Sequence, residues 1–94
     1  MSKNGPLKEV IDKLLRAYGY QDQLDEIELL KAYDEVVGTV FVKHTKEVYF
    51  KNKTLFIKLD SAALKQELSY AKEAIKEKLN QMMGKRIVEE INIK

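Results

Sequence analysis

The sequence predicts an α+β domain in which helices cover one face of a three-stranded sheet. Three observations lead there. Two N-terminal segments repeat apolar residues at helical spacing, a hairpin of alternating residues sits mid-chain, and one long amphipathic segment separates that hairpin from a last short strand. Ninety-four residues, 45% hydrophobic and 34% charged, suffice for one core and not two. A single domain over residues 1–94 is expected, with residues 1–5 disordered.

The first helix opens at Gly5-Pro6, because proline near the first helical position has no N–H to leave unpaired. Leu7, Val10, Ile11, Leu14, Leu15 and Tyr18 then share one face, and Gly19 ends the helix. The second helix begins near Asp22. It directs Leu24, Ile27, Leu30 (or Leu29), Tyr33 and Val37 inward and its acids outward, and the early carboxylates suit the positive end of the helix dipole. The following stretch, VVGTVFVKHT at 36–45, has helical periodicity through Tyr33, Val37, Val40 or Phe41, and His44, but strand-like residue types over Thr39–Val42. A helix is the expectation.

TKEVYF and TLFIKLD flank a tight connection centred on Asn52, as a hairpin requires. Alternation puts Val48 and Phe50 with Leu55, Ile57 and Leu59 on the inner face. Glu47, Tyr49 and Lys51, with Thr54, Phe56 and Lys58, fall on the outer one. Asp60 or Ser61 can cap a third long helix with Leu64, Leu68, Ala71, Ile75, Leu79 and Met82 buried, and Gly84 ends it. IVEEINIK supplies the last strand, with Ile91 and Ile93 inward and Asn92 and Lys94 outward. The order is α-α-β-β-α-β. A right-handed crossover makes the last strand parallel to the second, with a position beside the first expected.

Composition excludes several chemistries. Without cysteine there are no disulfides, thiolate metal sites or cysteine nucleophiles. Gly84-Lys85-Arg86 is no phosphate loop, since position 79 is leucine and no Ser or Thr follows the lysine. A lone histidine cannot form a paired metal site, and Glu89-Glu90 point to opposite faces of a strand. The expectation is a non-enzyme with no cofactor and no metal. MSKNGPLKEV has no apolar core of a secretory signal, and no run suggests a membrane span, so a cytoplasmic location without membrane contact is expected.

The net charge of +2 hides a segregation. Asp22–Glu35 holds six acids against Lys31, whereas Lys43–Lys58 holds five lysines against Glu47. Acidic and basic ends raise the odds of a nucleic-acid partner. On the outer hairpin face, Tyr49 and Phe56 beside Lys51 and Lys58, with Lys53 at the turn, can stack bases while ammonium groups hold phosphates. The same residues also suit an aromatic pair that stiffens the hairpin, edged by solvated lysines. His44 has two readings as well. It can bond a nearby carbonyl at a helix end, or contact a phosphate or partner alongside Lys43 and Lys46.

LLKAYDEVVG at 29–38, HT at 44–45, LFIKLDSAALKQEL at 55–68 and LNQMMGKRIVEEINIK at 79–94 together resemble the bacterial DciA-like family of replicative-helicase loaders. Tyr33 stands where that family usually has tryptophan, so an aromatic anchor is kept. The resemblance implies a KH-like fold and engagement of the replicative helicase and single-stranded or forked DNA without ATP hydrolysis. It makes Lys43, His44, Lys46, Tyr49, Lys51, Lys53, Phe56 and Lys58 candidate DNA contacts. Asp25, Glu28, Asp34 and Glu35 of the acidic helix become candidate partner contacts. Two alternatives stand beside it: a protein-interaction module without DNA affinity, and a KH-like RNA-binding protein.

Overall fold

The computed structural model describes residues 5–94; the disorder expected for residues 1–5 lies outside the described residues except at Gly5, where the first helix begins. Helix α1 spans Gly5–Ala17 and α2 Gln21–Val37. A five-residue helix, α3 (Thr39–Lys43), leads into strands β1 (Thr45–Lys51) and β2 (Thr54–Leu59). Helices α4 (Ala62–Tyr70) and α5 (Lys72–Met83) precede β3 (Glu90–Ile93). The fold is α+β, with a three-stranded mixed sheet.

β1 and β2 are antiparallel, pairing Val48 with Ile57, Tyr49 with Phe56 and Phe50 with Leu55. Asn52 and Lys53 both have positive φ, +52° and +61°, as the two central residues of a type I′ hairpin turn require. β3 is parallel to β2, as expected, but lies beside β2 rather than beside β1. Each side of β2 is thereby paired, with Leu55 between Phe50 and Ile91, and Ile57 between Val48 and Ile93. The far edge of β1 instead meets α2, where the Glu26 carboxylate accepts the Phe50 N–H at 3.4 Å.

The core lies between the inner sheet face and the helices α2, α4 and α5. Leu29, Tyr33, Leu55, Leu79 and Val88 are fully buried there, with Ile57 and Leu68 nearly so. On α2 the buried residues are Asp25, Leu29, Ala32 and Tyr33; of the expected stripe Leu29 and Tyr33 are buried, but Ile27 is exposed. An aspartate can join them because the Lys85 ammonium meets its carboxylate at 2.8 Å. The apolar stripe of α1 is also not buried: Leu7, Val10, Ile11, Leu14 and Tyr18 are all exposed.

The long third helix is two helices broken at Ala71, whose N–H reaches both Glu67 and Leu68 carbonyls while its own carbonyl accepts from Ile75. No glycine or proline marks the break. It lets Leu68 of α4 and Ile75 and Leu79 of α5 reach one core, while Met82 stays exposed. The expected caps form: the Ser61 hydroxyl accepts the Leu64 N–H at 3.2 Å, and Gly84 ends α5 in the left-handed conformation.

Within the 36–45 stretch Thr39–Lys43 is helical, as a separate turn rather than a continuation of α2. Gly38 stands between them at φ +88°, ψ 172°, a backbone region essentially confined to glycine. Its N–H donates to Asp34 and its carbonyl accepts from Val42, so it ends one helix and starts the next. A Cβ added here would meet no atom within 4 Å. Gly38→Ala is therefore expected to cost about 1–3 kcal/mol through backbone strain alone, read as a lower denaturant midpoint with an unchanged slope.

Candidate nucleic-acid interface

The outer sheet face is built by register. Three cross-strand rows cover it: Lys51, Thr54 and Glu90; Tyr49, Phe56 and Asn92; and Glu47 with Lys58, beside which Lys94 ends the chain. The Tyr49 and Phe56 rings stack with centroids 4.8 Å apart and planes 14° apart. Tyr49 of the pair is exposed and Phe56 partly so, and lysines lie in the rows on either side. Because β3 adjoins β2, Asn92 and Lys94 join this face. Their outward direction was legible from alternation, but their neighbours were not.

Of the candidate DNA contacts, Tyr49, Lys51, Phe56 and Lys58 are therefore brought together. Lys53 is at the hairpin tip, 3.5 Å from Glu89. Lys43, His44 and Lys46 are at the opposite end, with Lys46 the extra residue of a bulge between Thr45 and Glu47. His44 closes the base of the hairpin. Its Nδ1 lies 2.7 Å from the Asp60 carboxylate, and its carbonyl accepts the Asp60 N–H at 3.0 Å. Thr45 beside it donates its hydroxyl to the Phe41 carbonyl at 2.6 Å, so the Tyr33 O–H, 2.9 Å away, must be the donor to Thr45 Oγ1. Burial pushes the Tyr33 phenol above its ordinary range.

The His44 bond, with Lys46 3.6 Å from the other oxygen, holds the Asp60 carboxyl below its usual pKa of 3.8. A carboxylate depressed in the folded state stabilises it above the unfolded pKa, and that contribution disappears as pH falls through the folded value. Asp60→Asn should therefore lower the melting temperature slightly at neutral pH. The gap to the wild type should close in melts run at pH values below 3.8.

The acidic residues of α2 separate into two groups. Asp25 is buried, with Lys85 on one oxygen and Arg16 3.5 Å from the other, so it is held inside the molecule and not presented outward. Glu28 is half-buried and meets Lys8 at 3.5 Å. Asp34 and Glu35 are exposed near the C-terminal end of α2. Among the described residues, no cluster of His, Cys, Asp or Glu could hold a metal ion, and no helix is long and apolar enough to cross a membrane.

One more local structure was not anticipated. The Asn80 side chain accepts the N–H groups of Ile87 and Val88 at 3.0 and 2.8 Å and donates to the Val88 carbonyl at 3.0 Å. It fastens the α5–β3 connection and holds Val88 in the core. The family model described as Dna[CI] antecedent, DciA, matches residues 6–93. The chain belongs to the DciA family. Comparison with curated proteins found no match. DciA proteins are loaders that associate with the replicative helicase. Several residues of the segments that carried the DciA resemblance have structural tasks here: Tyr33 and Thr45 in one hydrogen-bonded chain, Gly38 between helices, His44 on Asp60, and Asn80 on Val88.

Proposed function

We propose that this DciA-family chain is a non-enzymatic adaptor of the replicative helicase that binds single-stranded or forked DNA on the outer face of its hairpin. The observation that carries the DNA half is the stacked Tyr49–Phe56 pair edged by Lys51, Lys58 and Lys94. Aromatic stacking with backbone-directed ammonium groups binds single strands with little sequence preference. The open sheet face, with α2, α4 and α5 packed on the other, is what a KH-like reading of the fold would use. Of the candidate partner contacts Asp25, Glu28, Asp34 and Glu35, the last two are the exposed ones.

Size-exclusion chromatography of the chain with the host's replicative helicase, with and without single-stranded DNA, tests the adaptor role. Co-elution without ATP is expected, and separate elution in every condition contradicts it. The second reading, a protein-interaction module without DNA affinity, draws support from Glu47 and Glu90, which offset two of the three lysines on the face. Co-elution with helicase but no DNA affinity would favour that module. Competition between DNA and RNA strands of one sequence separates the RNA-binding alternative.

A further inference from the structure

The exposed side of α1 is the largest departure from ordinary burial in the described residues. Leu7, Val10, Ile11, Leu14 and Tyr18 recur at 3–4 spacing and are 45–75% exposed. Single exposed apolar residues are unremarkable, but five on one helix face form a patch. Ion pairs fix which side of α1 meets α2: Lys8 lies 3.5 Å from Glu28, and Arg16 lies 3.5 Å from Asp25. At about 100° per residue, that contact side lies roughly 150° around the helix from the centre of the apolar stripe, nearly opposite it. The helix thus turns a polar side to its own domain and an apolar one to solvent.

Charge decides what fits the stripe. Lys8 and Lys13 border it on its two sides, and Glu9 and Asp12 lie on the far side of the helix. Lys8 is already held by Asp12 and Glu28, while Lys13 is exposed. On the solvent side of α2, exposed Ile27 and Lys31, one turn apart, repeat the pairing of an apolar residue with a lysine. A second copy fits poorly. Antiparallel pairing of two α1 helices sets Val10 against Leu14 but places both Lys13 residues along one edge. An anionic lipid surface also fits poorly, since such binding draws on clusters of about four to eight basic residues and only Lys8 and Lys13 border the stripe.

We propose that the lysine-bordered apolar face of α1 docks an amphipathic helix of a protein partner whose apolar stripe is flanked by acidic residues. Such a helix buries its stripe against Leu7, Val10, Ile11, Leu14 and Tyr18 and sets its carboxylates against Lys13, since Lys8 is already held within the domain. This surface is separate from the hairpin face, and its assignment does not depend on DNA binding.

Two labelled synthetic peptides test it, with the same leucine stripe and either glutamate or lysine at the flanking positions. Titrated with the full chain, the glutamate peptide is expected to bind at least about tenfold more tightly, and the preference should shrink with added salt. Ile11→Glu with Leu14→Glu should weaken that binding at least about tenfold. The melting temperature should hardly move, since both side chains are exposed in the folded chain. Tyr49→Ala should leave peptide binding unchanged. Equal binding of both peptides, or none, overturns the proposal. So does a dimer in sedimentation that Leu14→Glu dissolves, which makes a second copy the occupant. Binding to anionic vesicles that the same variant abolishes would also overturn it.

Discussion

Asn80→Ala is expected to destabilise the fold by about 2–4 kcal/mol, the sum of several lost hydrogen bonds at a poorly solvated site. The wild-type amide satisfies two backbone N–H groups and one carbonyl at 2.8–3.0 Å, all on Ile87 and Val88. Val88 is fully buried, so its backbone cannot readily exchange these bonds for water. For a domain of this size the loss amounts to a melting temperature lower by roughly 10 °C or more. Asn80→Asp makes the sharper comparison. It keeps both acceptor functions, loses the donor and sets a charge beside the Val88 carbonyl, so it should fall between alanine and the wild type. Thermal melts of the three proteins check the order. Equal stability of Asn80→Ala and the wild type would show that the side chain follows the loop and does not hold it.

The second large effect is on DNA. Replacing Tyr49 and Phe56 together by alanine is expected to weaken single-strand binding about 10–100-fold, since stacking contributes roughly 1–3 kcal/mol per base. The fold should survive, because a cross-strand pair on an open face contributes only about 0.2–1 kcal/mol to stability. The lysines act differently. Lys58→Ala removes one phosphate contact, so the slope of log affinity against log salt should become shallower by about 0.7. The aromatic variant should shift the line and leave its slope alone. Swapped outcomes would mean that the rings only stiffen the hairpin.

The hairpin was the most legible part of the chain. Alternation through Val48–Lys51 and Thr54–Leu59 gave both faces, because residues of opposite character point opposite ways in a strand and one face is buried. Caps at Ser61 and Gly84 were legible for a similar local reason. What escaped the sequence depends on distant residues. The inward turn of Asp25 rests on Lys85, sixty residues later. The place of β3 rests on α2 already occupying the outer edge of β1. The break at Ala71 has no local breaker residue and follows from how α4 and α5 share the core.

The outward stripe of α1 escaped for a different reason. Periodicity reports that a helix has an apolar face and not whether its own domain covers it. The candidate site was legible in Tyr49, Phe56, Lys51 and Lys58, which the register brings together. Lys43, His44 and Lys46 are close in sequence to those residues but lie beyond the Glu47–Lys58 row, at the end of the hairpin away from Lys51. His44 in particular is bonded to Asp60 at the hairpin base through both its ring and its carbonyl, which holds β1 to the end of β2.

The most direct test of the DNA-binding adaptor is a fluorescence-anisotropy titration of labelled single-stranded DNA at two salt concentrations. It compares the wild type with Tyr49→Ala plus Lys58→Ala. The expected result is wild-type binding that is strong at low salt and weaker at high salt, with the variant at least about tenfold weaker at both. No wild-type binding at low salt, or equal affinity in the variant, would contradict it.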